Sequence, residues 1–332
     1  MQPVYRFGVA AALAVLLAGA SIAPSAAATK LRLAGQHPVD HNATLVLKET
    51  IKKIEDAGVD IEIRLFPAGQ LGNGEQVFGD VAQGVIDIGH TFIYSHNDPV
   101  LEINSLPYLV GTYEEMQKVY SPGSNFYRIY EESLANQGLK LLGVFAEGFI
   151  GVGTSEEPTN PTVIGDKGLN IRVWSAEVGR LTAQEMGFRT TTMNWGDVIP
   201  AIQQGVIEGV IGGTAESNYT VFGDAVKYFI PYKAFVENTA FYIGQAKWDS
   251  FTPEQQAVLS EAFAEASRDS FALSERVDEE YIRRLPEIGI QVIPVSDMEI
   301  SAIADHVRET VWPAMEDKLG KDIIDQMKAD VQ

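Results

Sequence analysis

From Thr252 onward the chain carries a helical pattern too long for a single small lobe. Thr252-Pro253-Glu254-Gln255 has the form of a capping box with proline at the first helical position. Val258, Leu259, Ala262, Phe263, Ala266, Leu273, Val277, Tyr281 and Leu285 then recur at helical spacing as far as Pro286 and Gly289. Roughly 33 residues at a rise of ~1.5 Å each give a rod of about 50 Å. A lobe of ~150 residues is narrower than that, so the helix is expected to cross two bodies as a spine.

The rest of the chain supplies two such bodies. Leu31–Ala34 reads as a strand, followed by a helix carrying Leu45, Leu47, Ile51 and Ile54. Val59–Phe66 alternates apolar and polar residues as a strand does, a helix spans Glu75–Gln83, and a short strand spans Ile86–His90. A second series starts near Ile150, with strands at Leu169–Val173, Arg189–Met193 and Ile207–Ile211. Helices at Ala176–Met186 and Gly196–Gln204 separate them. This order defines an α/β fold with mainly parallel sheets in two lobes. The expected division is 29–149 with about 238–270 for lobe I, and 150–237 with about 271–300 for lobe II. A C-terminal helical segment, 301–332, completes the chain, which ends with an amphipathic helix over Met298–Val311 and a charged tail.

Arg6 is the only charged side chain before Lys30, and it precedes an apolar run from Phe7 to Gly19 and the small residues Ala26-Ala27-Ala28. That is the form of a secretory signal peptide over 1–28, cleaved near Ala28 and too short to span a bilayer. It implies export from the cytoplasm. The sequence has no cysteine, so neither a lipid-anchored cysteine nor a disulfide is available. A formal net charge of −20 opposes nucleic acid and anionic lipid as partners. Later in the chain no apolar run reaches the length of a membrane span.

Several stretches occur in a characteristic order. They are Phe66-Pro67-Ala68-Gly69-Gln70-Leu71-Gly72, Ser105-Leu106-Pro107-Tyr108, Gly168-Leu169-Asn170-Ile171-Arg172-Val173 and Met193-Asn194-Trp195-Gly196-Asp197-Val198, the last running into Ala201–Gly209. With the long helix, they make the chain resemble the DctP-type solute receptors of tripartite ATP-independent periplasmic (TRAP) transporters over nearly its whole exported length. The resemblance implies a two-lobed periplasmic binding protein fold with a hinge and a lobe-spanning helix. It also implies closure on one small, usually carboxylated solute and docking on a membrane permease. In that family the arginine matching Arg172 pairs with the ligand carboxylate.

Arg172 also stands out chemically, as a guanidinium inside the apolar strand Leu169–Trp174. Its rigid fork matches a carboxylate with two hydrogen bonds; the alternative is a pair with one of the chain's own acids. Ligands of open α/β sheets bind at the carboxyl ends of strands. That rule adds Gln36 and His37 after the first strand, Phe92 and Tyr94 after the third, and Glu147 and Phe149 near the crossover between lobes. Trp174 and Trp195 fit a pocket wall or core packing equally. His37, His90 and Glu147 suit surface or structural duty first, although Glu147 could accept a hydrogen bond from a ligand hydroxyl or ammonium. Gly212 and Gly213, with Glu216 after them, stand where many relatives carry an asparagine, and their N–H groups could cradle an anion. Phe149–Gly153 lacks the basic residue of some relatives. Both departures favour a ligand with one carboxylate and a less charged remainder.

An enzyme is not indicated. G-x-S-x-G and H-E-x-x-H are absent, Gly151-Val152-Gly153 starts an incomplete dinucleotide motif, and the five histidines suggest no metal set because Pro38 puts His37 and His41 on a loop. No cofactor is implied. A receptor for an ATP-driven importer would share the clamshell logic, but the motif order and the long helix favour the TRAP system.

Overall fold

The computed structural model describes Met1, residues 28–96 and residues 98–331; the body of the expected signal segment lies outside them. In chain order the strands are β1 (Thr29–Gly35), β2 (Ile61–Phe66), β3 (Ile88–Thr91), β4 (Leu139–Phe149), β5 (Val152–Thr154) and β6 (Asn170–Val173). They continue with β7 (Arg189–Thr192), β8 (Gly209–Ile211), β9 (Tyr228–Ile230), β10 (Val236–Gly244) and β11 (Gln291–Val292). One sheet has the order β2-β1-β3-β10-β4 and the other β11-β9-β5-β8-β6-β7.

Both sheets are mixed rather than mainly parallel. Strands joined through helices pair in parallel, as β1 does with β2 and β3, and β6 with β7 and β8. Antiparallel pairs appear where the chain passes between the sheets. Thus β10 is antiparallel to β3 and β4, and β5 is antiparallel to β8 and β9. The outward crossing is only Ile150-Gly151, and the return takes 231–235.

The spine helix spans Pro253–Arg284 and starts with the Thr252/Gln255 capping box. A 3-10 turn over Leu285–Ile288 ends it at Gly289, whose φ of 86° is left-handed. Leu259, Phe263 and Ala266 in its first half join Leu33, Ile51 and Phe241 in the core of the first sheet. Val277 and Tyr281 in its second half, with Leu285 just beyond it, join Val210, Phe222 and Phe229 of the second. Also in the second half, buried Asp278 accepts hydrogen bonds from the Phe149 N–H and the Tyr113 hydroxyl, both at 2.8 Å.

Several boundaries differ from expectation. β2 begins at Ile61 because Asp60 turns the chain at φ 53°. The segment after β7 starts as a 3-10 turn, Trp195–Asp197, before the helix Val198–Gln203. The C-terminal helix is longer than expected, Asp297–Leu319, and the charged tail is itself a helix, Lys321–Asp330. Ile324 and Met327 bury its apolar face. Its Asp330 carboxylate accepts the N–H groups of Asn125 at 2.9 Å and Phe126 at 2.8 Å, capping the helix Asn125–Asn136. No described helix is long and apolar enough to cross a membrane.

Candidate functional site

A cavity of about 350 Å³ opens where the strand ends of the two sheets face each other. From the first sheet it takes Gln36 and His37, which follow β1, and Phe92 and Tyr94, which follow β3. The Gln36 Oε1 accepts the Phe92 N–H at 2.8 Å and so ties these two strand ends together. From the second sheet come Arg172 at the end of β6, Trp174 just beyond it, Trp195 after β7, and Gly212 after β8.

Arg172 is 4% exposed. Its Nε donates to the Met193 carbonyl at 3.0 Å, and its guanidinium lies 5.5 Å from the centre of the Trp195 ring. Among the described residues no carboxylate lies within ion-pair distance of it, so the alternative of an internal pair is not realised. Burial pulls its pKa down to about 10, against the pull of Tyr94 and Glu237. Gly212 matters for space: at φ 122° a Cβ there would sit 3.1 Å from Arg172 Nη1. Trp195 is 37% exposed with one edge on Phe222, whereas Trp174 is buried against Phe235 and Gly179 while its rim reaches the cavity. Phe92 and Tyr94 meet edge to face at 5.1 Å, and burial lifts the Tyr94 hydroxyl to about 12.

Four expected residues do not line the cavity. The Gly213 N–H is taken by the Glu237 carboxylate at 3.1 Å, so the glycine turn holds an anion of the protein's own. Phe149 packs edge-on against Tyr113 at 5.1 Å, under Lys233. Glu216, 2% exposed, accepts the Asn42 N–H at 3.0 Å and the Asn42 side-chain amide at 2.8 Å, joining the helix after β8 to the start of the helix after β1. Burial, with Glu147 nearby, pushes its pKa up to about 7.

Glu147 does not line the cavity; it belongs to a buried cluster with His37, His41 and His90, and Pro38 does not keep His37 and His41 apart. His37 and His41 stack at 4.2 Å, and His37 Nε2 lies 2.8 Å from Glu147 Oε1. Burial opposes charge on both partners, but each outweighs it for the other: the His37 pKa rises and that of Glu147 falls. His90 Nε2 is 2.7 Å from the Thr239 hydroxyl, and burial plus His37 push it down to about 3. His37, His41 and Glu147 are close enough together to suggest an ion. The tautomer of His41 argues otherwise. Its Nδ1 accepts the Ala43 N–H at 3.2 Å, which caps the helix and leaves the proton on Nε2, facing Glu216 at 3.5 Å and Glu147 at 3.9 Å. A metal-bound imidazole has the opposite arrangement.

Glu237 is the cavity residue that the strand-end rule misses. It lies at the start of β10, and an antiparallel strand begins at the edge where its parallel neighbours end. The signal was available: Glu237 is a lone charge in the strand Val236–Gly244, the same anomaly that singles out Arg172. Asn73, Glu75, Ser105, Ser175, Asn194 and Ser217 complete the polar part of the wall.

Two mixed sheets sharing one cavity at their strand ends, with a helix packed on both, define a two-lobed solute receptor. The model of bacterial extracellular solute-binding protein family 7, DctP, matches residues 33–318, and the chain belongs to that family. It is 24% identical to the ectoine/5-hydroxyectoine-binding periplasmic protein UehA of Ruegeria pomeroyi, over 98% of this chain and 97% of that one. A TRAP periplasmic solute-binding protein of Haemophilus influenzae with bound L-gulonate superposes with a TM-score of 0.81 at 22% identity, covering 91% and 99% of the two chains. The ectoine-binding protein of the TeaABC TRAP transporter of Halomonas elongata gives 0.82 at 18%, with the same coverage. At these identities the structures establish the shared fold.

Proposed function

We propose that this protein is an exported TRAP receptor, cleaved near Ala28, that closes its two lobes on a small carboxylate-bearing solute and delivers it to a membrane permease. Lobe I is 29–149 with about 238–270, and lobe II is 150–237 with about 271–300. The hinge is the pair of short crossings beside the spine helix. Arg172 takes the ligand carboxylate. The observation that carries this is a buried guanidinium that faces a cavity and has no carboxylate partner among the described residues. Burying its charge is costly until an anion arrives with its remaining polar atoms satisfied. Trp195, Phe92 and Tyr94 supply the aromatic wall that holds the rest of the solute. Gulonate and glucuronate, named with solved relatives, are carboxylates too.

The test is a thermal-shift screen of the exported protein against small organic acids, sugar acids, amino acids and polyols. One carboxylate class is expected to raise the melting temperature, and Arg172→Ala to weaken its binding on the order of 100-fold or more while the unliganded protein melts within a few degrees of wild type. Unchanged affinity in Arg172→Ala, read by calorimetry, would remove Arg172 from the site.

A further inference from the structure

The cavity holds a second charge, half-buried, that carboxylate binding leaves unanswered. Glu237 opens β10 and lines the cavity wall with Arg172. Its Oε2 accepts the Gly213 N–H at 3.1 Å. Among the described residues, no other hydrogen bond reaches the carboxylate and no basic group lies within ion-pair distance of it. Arg172 is therefore near enough to be felt and too far away to pair. The titratable groups around Glu237 are Glu147 on β4, His37 after β1, Tyr94 after β3, and Arg172 on β6. Of these, His37 is committed to Glu147 at 2.8 Å.

A buried cation and a half-buried anion facing one cavity without pairing are each short of a counter-charge. A ligand carrying only a carboxylate would serve Arg172 and put a second negative charge near Glu237. A ligand carrying both signs would serve both. We propose that the solute is a zwitterion, its carboxylate on Arg172 and a cationic nitrogen, ammonium or amidinium, on Glu237. This rests on the proposed role of Arg172 and narrows the solute class. The aromatic faces of Trp195 and Tyr94 suit the same nitrogen, since a desolvated cation is attracted to a ring face. The volume of about 350 Å³ suits one small molecule.

The Glu237 carboxyl sets the sign of the pH dependence. Burial, reinforced by Glu147, raises its pKa to about 7 in the free protein. A cationic nitrogen requires the carboxylate, so binding below that pH must expel a proton. Affinity for a zwitterion therefore falls as pH drops, with a limiting slope of about tenfold per unit if one proton is released. A hydroxyl can donate to the carboxylate or accept from the acid, and gives no such slope.

The experiment is titration calorimetry of the purified protein at pH 5.5, 6.5 and 8 with two matched panels. One contains the proteinogenic amino acids, their N-methylated forms, ω-amino acids and cyclic amidinium carboxylates. The other contains the corresponding hydroxy acids and sugar acids. We expect the tightest ligand in the first panel, at least about tenfold weaker binding of its hydroxy counterpart, and weakening toward pH 5.5. Glu237→Gln should cost at least about tenfold at pH 8 and remove the pH slope, with Glu237→Asp recovering part of the affinity. A tightest ligand without cationic nitrogen, still dependent on Arg172, would overturn the zwitterion and leave the carboxylate receptor standing. Failure of the whole first panel to bind, or zwitterion binding indifferent to Glu237→Gln, would also overturn it. Binding insensitive to both Arg172→Ala and Glu237→Gln would remove both proposals.

Discussion

Arg172 keeps its position because the residue opposite it has no side chain. Gly212 adopts φ 122°, and a Cβ there would meet the guanidinium at 3.1 Å and Trp195 at 3.6 Å. Gly212→Ala therefore combines backbone strain with displacement of the ligand-facing group. We expect it to cost about 1–3 kcal/mol of stability, or several degrees of melting temperature, and to weaken solute binding at least about tenfold by calorimetry. Gly196, on the same wall, has nothing within 4 Å of a built Cβ and no positive φ. Gly196→Ala is the control and should change melting by less than a degree or two. Equal losses in both variants would mean that the space beside Arg172 is not what Gly212 preserves.

The spine helix acts through one acid as well as through its apolar faces. Asp278 accepts the N–H of Phe149 at the end of β4, next to the crossing, and the hydroxyl of Tyr113. Gly148 allows this approach, since a Cβ there would lie 2.3 Å from the carboxylate. Asp278→Ala strands a buried backbone donor and should destabilise by about 1–3 kcal/mol, read from the midpoint of urea unfolding. At the other end of the chain, Asp330→Ala removes the acceptor for Asn125 and Phe126. It should cost about 1 kcal/mol, as loss of a helix cap does. No change in midpoint would show that the terminal helix is held by Ile324 and Met327 alone.

At the scale of the whole molecule, Glu216 joins elements that follow strands of different sheets. Its carboxyl accepts both Asn42 donors yet titrates near 7 rather than in the ordinary range, because burial outweighs those bonds. A carboxyl raised in the folded state contributes stability that is fully present below its unfolded pKa of ~4.5 and is lost as pH rises through 7. The neutral buried His41 and His90, both pushed down to about 3, act in the opposite sense below pH ~6.5. The informative quantity is thus a difference between variants. The melting temperature of wild type minus that of Glu216→Gln should fall between pH 4.5 and 7.5, measured without ligand. A flat or rising difference would show that Glu216 is not the titrating group.

Much of this was legible in the amino-acid order. Capping chemistry and helical periodicity act within a few residues, so the Thr252 box and the spine were visible, as was the strand–helix alternation that makes two α/β bodies. Arg172 was visible because a charge inside an apolar strand is a local anomaly. Glu237 carried the same signal but lay on a strand whose direction is set by pairing across the sheet. That pairing joins residues such as Tyr242 and Gly89, far apart in the chain, and no local pattern encodes it. The same holds for the cluster of His37, His41, His90 and Glu147, drawn from three separate segments by packing around β1, β3 and β4. The sequence by itself determined which segments form elements and where a lone charge would stand. Only tertiary packing decided which charges meet and which face an open cavity, because burial and pairing depend on neighbours far away in the chain.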